Sequence, residues 1–544
     1  LINMKLNGSF CKSNNKYIFI IILILIVASL AYYRVLIQIE IGSVWDTYAF
    51  LSNAMYFAGQ GFGYTELTRP PFLPFLTSLL FRLGFVYEST IYYLDAFFLV
   101  FGAVGLYLFF RMKFEPIISF FGSLLFSTFP VVILFAGIGL SDIPSVALSI
   151  WALYTTVLAV KRDSKFFYLS FPLGVLAFLT RYPAGFIVFP MLFYLIINRK
   201  SLSIKPMIGG ILLSLLPGIM VILFFHGQFG DPFYPFETFY NTTQKSWATT
   251  YVYYCPNPLY FLQNILYYMG PGGITIVLFF IFSLISYTIT QFSTLQSKFK
   301  GVNKYKITKY MTFTMVSLII LLILLVLSFT KINYFLSEVL FFIVLLLVYS
   351  ILKGEKIQDM DFHFLFISWF MAFFIFHSIY TVKDDRYFVT MAPALSYFLI
   401  LAFNYIGNLW TLKEDYQKLI YRMLIIVLVV MIISSAVFSI HEIPDNESQM
   451  RCISNDVQAA SQWLKDDDHQ YNSKMICSER CPQLSWYLRT NVLQMPLCDT
   501  TGSCETQLNR DKIDYYFSFE EMSNFTEYQQ IKHFGVITIY KRRS

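Results

Sequence analysis

A few charged residues stand out because they interrupt or border long apolar runs. Asp46 lies in Val44-Trp45-Asp46-Thr47-Tyr48, and Arg69 in Thr68-Arg69-Pro70-Pro71. Asp142 lies in Ser141-Asp142-Ile143-Pro144, Arg181 in Thr180-Arg181-Tyr182-Pro183, and Arg386 in Asp384-Asp385-Arg386-Tyr387. Asp231 opens a Pro- and Tyr-rich stretch, Gly230-Asp231-Pro232-Phe233-Tyr234-Pro235. A carboxylate can take the proton of an incoming hydroxyl as a general base. A guanidinium holds phosphate oxygens in pairs. Acids and cations gathered at one membrane boundary suit a substrate with an apolar tail and a phosphate head. Each residue also has a plainer role: Asp46 as a helix N-cap, Arg386 as a partner for Asp384 or Asp385, Arg69 snorkelling to headgroups. Glu338, near the outer end of the tenth helix, is a spare carboxylate, and His226 and His377 lie near the same boundary without the carboxylate spacing of a metal site, so no metal site is assigned. No Gly-rich phosphate loop or dinucleotide fingerprint appears, which gives a nucleotide donor no support.

These residues are positioned by a mostly apolar chain. Of 544 residues, 57% are apolar, 19% aromatic and 13% charged, against about a quarter charged in soluble domains. That excludes a disordered tail protein and an ordinary cytosolic enzyme. The net charge of +7, with no basic stripe, argues against a nucleic-acid partner. The fold class expected is mainly α: a polytopic transmembrane bundle with a small extracytoplasmic α/β domain at the C-terminus. Thirteen helices are predicted, near 17–37, 90–110, 115–136, 142–160, 166–180, 183–198, 206–226, 271–291, 311–330, 333–352, 362–380, 387–406 and 421–440, most close to the ~20 residues that cross hydrocarbon. The first is too long for a signal-peptide core and lacks a cleavage site after it.

With the N-terminus cytoplasmic and the runs alternating, inner segments carry 21 Lys and Arg, and outer loops before residue 441 carry eight. This is the positive-inside bias. It puts two long loops outside, 38–89 with interfacial helices at 46–59 and 71–83, and 227–270. It also puts the tail outside, so the domains are 1–440 in the membrane and 441–544 beyond it. The tail holds 11 basic and 15 acidic residues. Its pattern predicts helices near 454–465, 482–489 and 523–533, and strands near 474–477, 513–518 and 535–541. Cys11 falls inside. Cys255, Cys452, Cys477, Cys481, Cys498 and Cys504 fall outside, where bridges are plausible and their pairing is open. A zinc site using Cys477 and Cys481 is a lesser alternative. Sequons at Asn241, Asn446 and Asn524 lie outside, and a chance one at Asn7 lies inside.

The order of these motifs resembles the GT-C superfamily of integral-membrane glycosyltransferases. It is most similar to the branch of protein O-mannosyltransferases and lipid-A aminoarabinose transferases. The stretches that carry the resemblance are Val44–Tyr48 through Gly59-Gln60-Gly61 to Thr68–Phe72, then Ser141–Pro144, Leu179–Pro183, Gly230–Pro235, and Asp385-Arg386-Tyr387 with Pro393 following. The resemblance implies a single sugar passed from a dolichyl- or polyprenyl-phosphate carrier to a hydroxyl acceptor on a protein, glycan or lipid, with inversion. It implies Asp46 as catalytic base and Asp142 as a second carboxylate. It implies Arg69, Arg386 and Tyr387 as donor phosphate or sugar contacts, with Arg181 and Tyr182 as further candidates. No cofactor beyond the lipid-linked donor is implied, and a divalent metal is not excluded. Two positions depart from the pattern: Thr47 stands where many relatives have an acid, and Thr68-Arg69 where many have Glu-Lys. The Trp-Trp-Asp motif of oligosaccharyltransferases is absent, which argues against transfer of whole glycans to Asn.

The rival class is a transporter or flippase for lipid-linked sugars. Paired broken helices in two matching halves, common in transporters, are not visible. Ile, Asn, Lys and Tyr usage suggests an AT-rich prokaryotic genome and hence a cell-membrane location.

Overall fold

The computed structural model describes residues 15–244, 255–270, 281, 309–353, 357–409, 414–495, 501–519 and 525–543. The helix expected at 271–291, apart from residue 281, lies outside these residues, as do Cys11, Cys498, Asn7 and Asn524. Six described helices are long and apolar enough to cross a membrane: Tyr17–Ile41, Glu88–Phe110, Asp142–Lys161, Ile204–Phe229, Tyr334–Leu352 and Met360–Ile379. The chain is a multi-pass membrane protein. Shorter apolar helices include Pro116–Thr128, Thr314–Ser328 and Ile425–Ile440.

The chain divides into two compact units. One comprises Leu1–Leu30, Phe98–Phe135 and Asp142–Ile440, the other Ala31–Phe97, Ala136–Ser141 and His441–Ser544.

In the first unit, Asp142–Lys161 packs on Phe167–Thr180, which packs on Ile204–Phe229. Val188–Ile197 packs on Met360–Ile379, and Ala392–Leu409 on Pro116–Thr128. In lipid, van der Waals packing carries much of helix association, and aromatic contacts recur in this unit. Phe366 and Tyr397 stack at 3.9 Å and 8°, and Phe193 joins Leu345, Met360 and Phe364 in one cluster. Hydroxyls inside helices bond the carbonyl four residues back, as in Ser149 to Ser145 and Thr156 to Ala152, so no free donor faces hydrocarbon there. The run expected as one helix at 115–136 is two. It breaks after Thr128, and Pro130, which lacks an N–H, starts the short helix Pro130–Phe135.

In the second unit, the helices Trp45–Ala58 and Phe72–Arg82 pack together. Proline at 70 and 71 suits the start of the latter, where an N–H has no intrahelical partner. The helix expected at 421–440 and the one expected at 454–465 are one continuous helix, Glu414–Asp467. The division between units falls within it. The C-terminal part holds a five-stranded sheet of β1 (Ile476–Ser478), β2 (Val492–Gln494), β3 (Tyr515–Ser518), β4 (Tyr528–Phe534) and β5 (Ile537–Arg542), in the order β2-β1-β3-β5-β4. β1 runs parallel to β2 and β3, and β5 is antiparallel to β3 and β4.

One face of the sheet is covered by Val457, Ala460 and Leu464 with Leu484 and Leu488. The other is covered by Cys504, Leu508 and Phe525. The helix expected at 523–533 is instead strand β4: Tyr528 is buried while Gln529, Gln530, Lys532 and His533 are exposed, and pairing with β5 supplies hydrogen bonds that a short polar helix would lack. β2 and the helix Thr501–Arg510 were not foreseen.

Candidate active site

Asp46 sits in the first turn of Trp45–Ala58, one residue inside the helix, and the N-cap is Val44. It therefore does not cap that helix with its side chain. A carboxylate there is favoured by the helix dipole. Asp46 Oδ1 lies 3.0 Å from Arg69 Nη1. Arg69 Nε lies 2.5 Å from Glu66 Oε2, so one guanidinium lies between two carboxylates. Tyr64 donates to the other oxygen of Glu66 at 2.5 Å. Asn53 pins the backbone of Glu66 in both directions, at 2.8 and 2.9 Å. The segment 64–69 is thus clamped to the helix that carries Asp46. The side chains of Asp46, Glu66 and Arg69 are each about a quarter exposed, which leaves them reachable. Burial and the Glu66 charge push the Tyr64 hydroxyl well above its usual range, so Tyr64 remains a donor.

In the first unit, Asp142 opens its helix, is fully buried, and pairs with Arg181 Nη1 at 2.7 Å. Arg181 occupies extended backbone between the helices Phe167–Thr180 and Val188–Ile197. A carboxylate this deep requires its cation. The Arg181 guanidinium lies 5.2 Å from the Tyr387 ring centre, and Tyr387 stacks on His377 at 4.8 Å and 15°. Asp142, Arg181 and Tyr387 thus form one connected group. Arg386 pairs with Asp384 at 3.0 Å and lies 5.7 Å from the Tyr387 ring. Asp385 instead accepts from Tyr260 and Tyr268, at 2.9 and 2.7 Å. Tyr182 sits in an aromatic nest of Phe178, Phe236 and Phe239.

Asp231 accepts from the Phe233 N–H at 2.8 Å and shapes its own turn. Glu338 is buried near the start of Tyr334–Leu352. Among the described residues, no group of three His, Cys, Asp or Glu could hold a metal. The zinc alternative is not built: Cys481 and Cys477 belong to the two opposite faces of the sheet. Cys255, Cys452, Cys477 and Cys481 are unbridged thiols, a correction to the expected disulfides as far as these four go.

Residues 68–224 match the family model of dolichyl-phosphate-mannose-protein mannosyltransferases. No curated protein sequence matches the chain. The crystal structure of ArnT from Cupriavidus metallidurans bound to undecaprenyl phosphate is similar in fold, with a TM-score of 0.59 and 11% identity over 97% of this chain and 98% of that one. Its apo form aligns at 0.57 with 12% identity, over 96% and 97%. The apo oligosaccharyltransferase of Archaeoglobus fulgidus aligns at 0.55 with 12% identity, over 94% of this chain and 70% of that one.

The fold is that of the ArnT and archaeal oligosaccharyltransferase structures.

The family match takes in Arg69, Asp142, Arg181 and Tyr182, and does not reach Asp46, Arg386 or Tyr387. Two residues that bear on this site do not stand out in the sequence. Glu66 was hidden because the expected acid adjoins the basic residue before Pro-Pro, and here it stands three positions earlier. Asp95 lies inside the apolar helix Glu88–Phe110, where a lone acid is a clear signal. Its Oδ2 accepts from the N–H groups of Ile138 and Gly139, at 3.1 and 3.0 Å, and so holds the loop just before Asp142.

Proposed function

We propose that this chain is a GT-C-type glycosyltransferase that moves one sugar, a hexose or pentose, from a polyprenyl or dolichyl phosphate to a hydroxyl acceptor at the outer membrane face. The observation that carries this reading is the Asp46–Arg69–Glu66 group. It joins a carboxylate about a quarter exposed to a cation suited to phosphate, Arg69, which lies at the start of the segment that matches a mannosyltransferase family. The undecaprenyl phosphate in the similar ArnT structure supports a lipid-phosphate donor.

In the proposed reaction the acceptor oxygen attacks the anomeric carbon of the donor. The acceptor proton passes to the Asp46 carboxylate. The bond between the anomeric carbon and the phosphate oxygen breaks, and its electron pair leaves with the lipid phosphate. Attack opposite the leaving group inverts the anomeric configuration. Arg69 stabilises the charge of the departing phosphate, since interactions that grow as charge develops accelerate the step. Asp142, Arg181, Tyr182, Arg386 and Tyr387 are proposed as contacts to the sugar or phosphate, with Arg181 held in place by Asp142.

The test is transfer from synthetic polyprenyl-phosphate sugars by the purified wild type and by Asp46→Asn, which keeps shape and removes the base. Transfer by the wild type, with loss in the variant while donor still binds, supports the reading. Equal transfer by both moves the base elsewhere. Movement of donor across liposomes with no new glycosidic bond would favour a flippase.

A further inference from the structure

The second unit carries a cleft of about 410 Å³ away from the Asp46–Arg69 pair. Its size lies in the range of small-molecule sites, ~300–1,000 Å³. It is formed where the outer end of Asn15–Ile41, the start of Glu88–Phe110, the helix around Ser454 and the end of Cys481–Leu488 meet. The residues that give it chemistry are Tyr87, Glu88, Asn455, Gln458, Tyr487 and Arg489.

We propose that this cleft binds a saccharide, the hydroxyl-rich part of the acceptor. This rests on the reading of the chain as a sugar transferase. Asn455 and Gln458 are exposed amides three residues apart on one helix face, each able to donate and accept. The Glu88 carboxylate is already oriented by the Ser43 hydroxyl at 2.8 Å and the Tyr92 hydroxyl at 3.3 Å. The Arg489 guanidinium is held 3.7 Å from the Trp486 ring centre, and Tyr87 offers an exposed ring. Amides, a fixed carboxylate, a fixed guanidinium and an aromatic face match vicinal hydroxyls and the apolar face of a sugar ring.

Other occupants fit less well. Glu40 and Glu88 outnumber the single Arg489 among the lining residues, which disfavours an anionic headgroup. No lining residue lies on a strand, so a peptide cannot add to the sheet here. The floor of the cleft also reaches the machinery of transfer. The Tyr487 hydroxyl lies 3.0 Å from that of Tyr48, two residues beyond Asp46 on the same helix. Binding in the cleft therefore bears directly on the element that presents Asp46.

The experiment uses the full chain in nanodiscs free of sugar detergents, because a maltoside headgroup would compete. Binding of mannobiose, chitobiose and glycerophosphoethanolamine is measured by calorimetry for the wild type, for Asn455→Ala/Gln458→Ala and for Arg489→Gln. The expected result is that a disaccharide binds the wild type and weakens at least about tenfold in the double variant. In transfer assays that variant raises acceptor KM and leaves kcat unchanged. No disaccharide binding up to about 10 mM, or binding that neither variant alters, overturns the proposal. Binding of the phosphoethanolamine alone, lost in Arg489→Gln, assigns the cleft to a lipid headgroup and overturns it too. Saccharide binding lost in the variants, with no transfer from any donor, keeps the cleft and removes the transferase reading. Bound polyprenyl phosphate retained by the variants shows that they are folded.

Discussion

Arg69 Nη1 lies 3.0 Å from Asp46 Oδ1. The contact joins the proposed base to the proposed phosphate-binding cation. Asp46→Asn should lower transfer by ~10²–10⁴-fold, the usual worth of a positioned base, with donor binding retained. Rates within tenfold of the wild type would exclude Asp46 as base.

Arg69→Lys tests a separate role. A lysine keeps the charge and loses the paired donors. The expected result is a higher KM for the lipid-linked donor and a lower kcat, with acceptor KM unmoved. Glu66→Gln should act in the opposite sense on donor affinity, because it removes a competing anion 2.5 Å from the guanidinium. Donor titrations by scintillation proximity would show whether the two variants diverge.

The Asp142–Arg181 pair is buried, so removing one partner strands the other. Asp142→Asn should destabilise the protein by about 3–5 kcal/mol, and Asp142→Asn/Arg181→Gln should recover part of that loss. Thermal unfolding of the purified proteins reads this directly. Equal midpoints for wild type and single variant would mean that water reaches the pair.

Gly42 has a φ of +89°, and a Cβ there would lie 2.4 Å from Ser454 Oγ. Gly42→Ala should destabilise on both grounds, by about 1–3 kcal/mol. Gly42→Ala/Ser454→Gly relieves only the clash, so partial rescue measured by unfolding separates contact from backbone strain.

Burial pushes the Cys481 thiol up to about 12. The folded state therefore holds its proton where the unfolded chain, with a thiol near 8.5, has lost it. Stability from this group is fully present below about pH 8.5 and falls by ~1.4 kcal/mol per pH unit as pH rises towards 12. Cys481→Ser should flatten that part of the alkaline unfolding curve. Parallel curves for wild type and variant from pH 9 to 11 would show that the thiol ionises in the folded protein.

The residues of the candidate site stand out in the sequence because charge is scarce there. Asp46, Arg69, Asp142, Arg181 and Arg386 border apolar runs, and a polar residue in that position has few places to go. What the sequence did not disclose are partnerships. Nothing in Thr68-Arg69 announces that Glu66 has taken the other side of the guanidinium, because the turn at 66–69 must first fold back. The pairing of Arg386 with Asp384, and not Asp385, depends on Tyr260 and Tyr268, over a hundred residues away. In the tail, strand β4 was missed because its exposed face reads as polar and helical until β5 is beside it.

β4 also closes the sheet in a particular way. Gln530 pairs with Tyr540 and Lys532 with Ile539, so Ile531 is an extra residue in the ladder. The bulge bends the outermost strand, and Lys532 stands exposed on it. At the opposite margin, β2 is only three residues long. Unpaired margins are where sheets of separate molecules stack into fibres, and bends, lysines and short strands spoil that register. A protein confined to a membrane meets its own copies at high local density. Deleting Ile531 would straighten the margin, and the shortened chain should then self-associate through it.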